Sequence, residues 1–307
     1  MKVSVIVCTY SPKMMDHFLE CIRSLVNQSY PSVEIVCIVD GNEDYYKRLV
    51  KDMDDKLKSK ITLHLNERNL GLLESRNIGV KLADGDVVAF IDDDAIADRR
   101  WIEELVKMYR KGAIAVGGKI MPLWLSKRPR WLPEEFYWMI GVTHLGFPED
   151  VREVRNTFGS NLSFKRDVFL ELGGFNPAMG GIKGSRILQG GETELCNRMR
   201  KRYGRGVVYN PNAIVYHKIF ERRTRFRFLV RRAFWQGYSK AIMKGLTGDI
   251  REEKNFLKYL LAERTRARVV EAARGSIDDI LKLLFMWIFL SFVGLGYVYG
   301  NLTKLTR

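Results

Sequence analysis

Cysteine is scarce in this chain of 307 residues: four, at positions 8, 21, 37 and 196, with no pair in CxxC spacing. That pattern speaks against a zinc ribbon and a disulfide framework, and for a reducing compartment. Histidine is equally scarce, and no HExxH occurs, which excludes a zinc helix of that type. No GxGxxG follows a strand pattern, and no P-loop or GxSxG elbow is present. A dinucleotide fingerprint, a phosphate-cradling loop and a hydrolase nucleophile are therefore missing. Acid is nearly absent from residues 198–232, where Glu221 stands alone against twelve Lys and Arg. This one stretch supplies eleven of the fifteen net positive charges. Such an excess implies an anionic partner: nucleic acid, a phosphorylated substrate or a membrane surface.

An apolar content of 46% with six Trp is enough for a real core, so a disordered chain is excluded. Short β-branched runs at 3–8, 33–39, 61–65, 87–91 and 114–120 alternate with helical patterns. Met15, Phe18, Leu19, Ile22, Leu25 and Val26 repeat at helical spacing, as do Trp101, Leu105 and Met108. Such alternation predicts an α/β fold, a mostly parallel sheet flanked by helices. Ligands in such sheets bind beyond the carboxyl ends of the strands. Residues 121–160, rich in Pro and Trp, read either as a lid or acceptor-binding insertion or as a core-filling loop. A strand near 161–164 and a helix near 166–172 follow, and no internal repeat is evident.

The chain starts directly on a strand pattern, so no signal peptide is expected. Near the other end, Leu283 to Gly300 carries no charge over eighteen residues, close to the roughly 20 a membrane span needs. It reads as a membrane helix or as a buried core helix. Arg264, Arg266, Arg268, Arg274 and Lys282 precede it, which by the positive-inside rule predicts a cell-membrane protein with its main domain cytoplasmic. Phe226, Leu229, Val230, Ala233, Phe234 and Gly237 fall on one helical face crowded by arginines. That suits an anionic membrane surface or an ordinary packed helix with a solvated basic face.

The candidate chemistry is acidic. Asp92, Asp93 and Asp94 follow the run at 87–91. Three carboxylates together repel, and a hard cation such as Mg²⁺ or Mn²⁺ relieves them; the alternative is a solvated turn capping the next helix. Asp40 ends the second strand as a site residue or a plain turn residue. Thr9 and Tyr10 close the first strand. Arg76 suits a phosphate, or an ion pair with a nearby acid. Glu192 and Glu194 open a helix over 191–203. Glu192 lies one turn before the inward stripe of Leu195, Cys196, Met199 and Tyr203, where a carboxylate can serve as general base or simply favour the helix dipole. His217 ends an apolar run at the same rim, as a structural histidine or a member of the acidic site.

In order, VSVIVCTY, CIVDG, NLGLLESRN and FIDDDA resemble family 2 glycosyltransferases of the GT-A fold. SNLSFKRDVFLELGGF, GGETELCNRM and AIVYHK extend the resemblance over roughly residues 3–240. EEFYWMIGVTHLGF, VRNTFGSN, RGVVYNP and AFWQGYSKA are similar to archaeal glucosyl-dolichyl-phosphate glucuronosyltransferases of N-glycan assembly. The resemblance implies a UDP-sugar pocket of Thr9, Tyr10, Asp40, Arg76, Asp92 and Asp93. It implies a metal, Mg²⁺ or Mn²⁺, on Asp94, Asp92 and His217. It implies Glu192 as the base, with Glu194 the runner-up, because the family's acidic pair reads Gly191–Glu192 here. No QxxRW motif is present, which favours transfer of a single sugar.

The expected activity is inverting, metal-dependent transfer of a sugar, glucuronate from UDP-glucuronate, onto a dolichyl-phosphate-linked saccharide. The alternatives are a dolichyl- or polyisoprenyl-phosphate sugar synthase, another glycan-assembly transferase with a different nucleotide-sugar donor, or a non-catalytic membrane or nucleic-acid binder. The expected partners are a UDP-sugar, a lipid-phosphate-linked acceptor and a membrane, with no nucleic acid. The expected organisation is a GT-A domain over 1–220, a basic amphipathic region over 221–280 and a membrane helix over 281–301.

Overall fold

A computed structural model describes residues 1–183, 186–247 and 251–305. The chain divides into two compact units. The first comprises residues 1–123, 148–181 and 191–218; the second comprises 124–147, 182–190 and 219–307.

The strands in chain order are β1 (Val3–Thr9), β2 (Val33–Asp40), β3 (Ile61–Asn66), β4 (Val87–Asp92), β5 (Ala95–Ala97), β6 (Ala115–Trp124), β7 (Arg152–Val154), β8 (Leu162–Lys165), β9 (Gly181–Lys183), β10 (Arg186–Leu188) and β11 (Val207–Ile219). Nine of them form one sheet in the order β3-β2-β1-β4-β8-β6-β11-β5, with β7 on β11. β3, β2, β1 and β4 run parallel, and β8 turns the sheet antiparallel on both its sides. The result is a mixed sheet whose parallel half is the alternating β/α segment of the sequence.

The central strands are buried on both faces, hence their unbroken apolar runs. Val3, Val5 and Val7 face a core with Phe18, Ile22, Trp101 and Leu105. Ile6, Val36 and Phe90 face the other, with Val80, Phe164 and Leu195. The helix Met15–Val26 buries Met15, Phe18, Leu19, Cys21, Ile22 and Leu25, the spacing of one helical face. The four cysteines are free, three of them buried. Burial pushes the Cys8 thiol up to about 12 and raises those of Cys21, Cys37 and Cys196 too.

Each parallel strand runs one residue past its apolar run, onto a polar residue: Thr9, Asp40, Asn66 and Asp92. The register lays Asp40 beside Asn66 and Asp92 beside Cys8. The carboxyl edge of the sheet is therefore a polar row, formed because the ladder continues where burial ends.

The second unit is built on two long helices, Phe226–Thr247 and Ile277–Leu305. Residues 124–147 fill its core: Phe136, Tyr137, Met139 and Ile140 are buried, and Trp131 packs on Phe285 at 4.5 Å between ring centres. Residues 124–147 of the Pro- and Trp-rich stretch thus pack as a core-filling segment. Glu135 is fully buried and is held by Arg264 at 2.6 Å and Arg268 at 2.8 Å. Glu134 binds Arg268 at 2.6 Å and Lys282 at 3.0 Å. Three of the five basic residues ahead of the apolar segment are thus engaged by internal acids.

Candidate active site

The acidic run lies between β4 and β5. Asp92 is the last residue of β4, Asp93 and Asp94 form a turn, and β5 follows at Ala95. A three-residue strand follows, so the run does not cap a helix. Two hydrogen bonds fix the turn, one to a side chain and one within the backbone: Asp92 N–H donates to Ser160 Oγ at 3.2 Å, and Lys218 N–H to the Asp94 carbonyl at 2.9 Å. β11 pairs antiparallel with β5 and sets His217 opposite Ala95. The His217 Nε2 is then 3.2 Å from Asp94 Oδ1 and 3.9 Å from Asp92 Oδ2. Ligand atoms of all three residues lie within 4.8 Å of one another. Asp94 and His217 are buried. Two carboxylates and an imidazole converging with little water are a donor set that suits a divalent cation.

Arg76, on the helix Leu72–Leu82, is 2% exposed. Its Nη2 donates to Asp92 Oδ1 at 2.8 Å and to the Gly159 carbonyl at 3.0 Å. Its Nη1 donates to Glu192 Oε1 at 3.1 Å. Phe90 and Phe175 flank the guanidinium at 5.6 and 5.8 Å. Burial disfavours its charge, but Asp92 and Glu192 outweigh that and raise its proton affinity. The ion-pair reading of Arg76 is thus the one the geometry displays: one guanidinium ties the acidic run to Glu192.

Glu192 lies in the first turn of the helix Gly191–Tyr203. Its side chain is 25% exposed, so one oxygen is held while the group stays open to solvent. Glu194 is employed elsewhere. It binds Arg198 in a fork at 2.7 and 2.8 Å, and Arg198 also donates to the carbonyls of Leu172 and, at 2.6 Å, Gly174. Its work is to fasten the 172–174 loop.

Thr9 is buried, with its hydroxyl 3.3 Å from Tyr45 Oη, and burial pushes the Tyr45 phenol up to about 12. Tyr10, the next residue, is 61% exposed. Asp40 is buried and accepts from Asn66 Nδ2 at 3.0 Å, Leu70 N–H at 2.9 Å and Gly71 N–H at 2.8 Å. Gly41 makes that loop possible. Its φ is +68°, and a Cβ there would lie 2.0 Å from Asn69 N.

Comparisons with known proteins identify the family and the fold. Residues 4–173 match the family described as Glycosyl transferase family 2. The chain belongs to that family. A glucosyl-dolichyl phosphate glucuronosyltransferase of Haloferax volcanii is 45% identical, over 99% of this chain and 97% of its own. Two solved structures share the fold. The mannosyltransferase PcManGT of Pyrobaculum calidifontis, in complex with GDP-Man and Mn²⁺, superposes with a TM-score of 0.57 at 19% identity, over 99% of this chain and 86% of that one. GalNAc-T7 with UDP, GalNAc and Mn²⁺ gives a TM-score of 0.59 at 18% identity, over 83% of this chain and 53% of that one.

For a glycosyltransferase, the structure adds residues that sequence reading did not single out. A Cβ on Gly159 would stand 2.1 Å from Glu192 Oε1 and 2.5 Å from Arg76 Nη1, so only glycine leaves room for that pair. Asn161 is fully buried and accepts from Trp101 Nε1 at 2.8 Å while donating to the carbonyls of Lys119 and Ala213 at 3.0 and 2.8 Å. It pins β6 and β11 around the site. Lys218, buried beside His217, binds His17 Nδ1 at 3.1 Å and the Glu20 carboxylate, which that contact holds below its ordinary pKa. The only signal for Gly159 is its place in the segment VRNTFGSN.

Proposed function

We propose that the chain transfers glucuronate from UDP-glucuronate to the glucose of a dolichyl-phosphate-linked saccharide, with inversion at the anomeric carbon. The Haloferax relative, similar along nearly the whole chain, supports the choice of donor and acceptor. The observation that carries the mechanism is the Arg76 bridge, which holds Glu192 at 3.1 Å and Asp92 at 2.8 Å on one guanidinium.

Asp92, Asp94 and His217 would hold Mg²⁺ or Mn²⁺, and three acids at 92–94 against one nearby guanidinium suit a cation. When bound, that ion would neutralise the donor diphosphate as its charge grows. Thr9, Tyr10, Asp40 and Asp93 line the UDP side, where the exposed Tyr10 ring offers a face for the base. Arg76 serves this pocket by orienting Asp92. Glu192 takes the proton of the acceptor hydroxyl as its oxygen bonds to the anomeric carbon. The bond from that carbon to the diphosphate oxygen breaks, and the electron pair leaves with UDP. Backside attack converts an α-linked donor to a β-linked product. General-base help of this kind is worth about 10²–10⁴-fold.

The lipid-borne acceptor places the enzyme at a membrane. The basic run from Arg222 to Arg232 suits the cytoplasmic leaflet, whose surface potential is negative. Residues 1–220 serve as the transferase domain, 221–280 as the basic membrane-facing region and 281–301 as a membrane-embedded helix. Incubating the purified chain with Mn²⁺, glucosyl-dolichyl phosphate and separate UDP- and GDP-sugars tests the reading. A charged disaccharide-lipid is expected from UDP-glucuronate alone. Product from another donor, or transfer onto the bare lipid phosphate, overturns the assignment.

A further inference from the structure

In the second unit, the helices Phe226–Thr247 and Ile277–Leu305 are in contact along their length. The Phe226 and Phe285 rings are 5.7 Å apart. A Cβ on Gly237 would stand 1.9 Å from the Val293 carbonyl oxygen, one on Gly296 1.9 Å from that of Phe234, and one on Gly300 2.7 Å from Ala241 Cβ. Position advances together in both helices, so they run parallel. Small residues let the backbones close up in this way. Arg231 lies between Phe226 and Gly237, so it is level with the stretch from Phe285 to Val293, the middle of the apolar run. Arg227 and Arg231 are both exposed.

By length and composition, residues 277–303 could cross a membrane. Two features of the chain oppose that. An upright pair would carry Arg231 into the hydrocarbon core, where a charge near the middle of a span disfavours insertion by about a hundredfold, and would leave Arg227 at the edge of the core. Parallel neighbours would also require the segment between them to recross the bilayer, and that segment carries Arg251, Glu252, Glu253, Lys254, Lys258 and Arg264 among its charges.

The apolar surface lies on the other side of the helix. Only 17% of the most apolar window is buried. Ile280, Leu284, Trp287, Leu295, Val298 and Leu302 are all exposed, and their spacing of three, four and seven or eight puts them on one face. Met286, Phe289, Gly296 and Gly300 form the opposite, buried face.

We infer that the helix over 277–303 is not a span but lies in the plane of an anionic bilayer surface. Its exposed stripe enters the acyl boundary, and Arg227 and Arg231, alongside, reach anionic headgroups on snorkelling stems. An apolar stripe with exposed arginines on the neighbouring helix, and with Asp278 and Asp279 confined to the first turn of the apolar one, fits lipid rather than another protein face. The inference rests on the membrane association proposed above and refines it.

The test uses the full chain carrying Ser276→Cys or Thr303→Cys, in sealed membrane vesicles from expressing cells, with a membrane-impermeant maleimide and the unsubstituted protein as background. An in-plane helix has both ends on one side. Opening the vesicles with a pore-forming toxin should then change the two labelling rates alike. If opening unmasks one position and not the other, the helix spans and the inference fails. Flotation with phosphatidylglycerol vesicles gives the second readout. Trp287→Glu with Leu295→Glu should cut binding at least about tenfold and leave UDP binding in solution unchanged. Wild-type protein that ignores such vesicles and self-associates through this face would overturn the membrane assignment itself, while the transfer assay would still report on the catalytic reading.

Discussion

Gly159→Ala puts one methyl group against both the Glu192 carboxylate and the Arg76 guanidinium. The new Cβ would lie 2.1 Å from Glu192 Oε1 and 2.5 Å from Arg76 Nη1. Closest ordinary contact begins near 3.0 Å, so the carboxylate must retreat by about 1 Å, a misplacement that can lower turnover about 10²-fold. Arg76 has little freedom to yield, being 2% exposed and bound to Asp92 and to the Gly159 carbonyl. Glu192, a quarter exposed, is the group that moves. Gly159 is not among the positive-φ glycines, so alanine brings no backbone strain, and its smaller unfolded-state entropy even favours folding by about 0.4–1 kcal/mol. The expected variant is folded, binds UDP with wild-type affinity and turns over about a hundredfold more slowly. UDP release, thermal melting and nucleotide titration read the three quantities. Wild-type turnover in Gly159→Ala would refute the claim that Arg76 positions the base, and lost UDP binding would move Gly159 into the donor pocket.

Glu192→Gln should lower turnover about 10²–10⁴-fold with nucleotide binding retained; an active Gln variant sends the base elsewhere. Glu194→Gln should instead destabilise by about 1–3 kcal/mol, because Arg198 loses its fork in a half-buried setting, and turnover measured below the melting transition should be nearly unchanged. Acid should loosen the second unit. Burial pushes Glu134 up, but bonds from Lys282 and Arg268 outweigh it and hold the carboxyl at about 2, against an ordinary 4.5. A depressed pKa contributes stability fully above 4.5 and loses it as pH falls toward 2, in all about 3 kcal/mol for this one group. Melting temperature followed from neutral to acid pH checks this, and Glu134→Gln should flatten the curve. A curve unchanged by that substitution would contradict the ion-pair account.

The parallel half of the sheet was legible because a strand buried on both faces must be apolar throughout, and the runs ending before Thr9, Asp40, Asn66 and Asp92 mark where burial stops. The acidic run and His217 were legible individually. Their convergence was not, since it depends on β11 pairing with the short β5, which has almost no sequence signal of its own. Arg76 left two readings open because its partners, Asp92 and Glu192, lie on other elements, the latter 116 residues away. The engagement of Arg264, Arg268 and Lys282 was equally hidden. Their acids lie about 130 to 150 residues earlier, so a charge count along the chain reads them as a free basic flank. Gly159 has no side chain to carry a pattern, and only the approach of three segments reveals its role.

Calorimetric titration of UDP-glucuronate into chelator-stripped and Mn²⁺-loaded protein, with Asp94→Asn in parallel, bears most directly on the central claim. The account predicts tight donor binding only in the loaded wild type, with the stripped protein and the variant both weak. Equal affinity in all three samples would contradict a cation held by Asp92, Asp94 and His217.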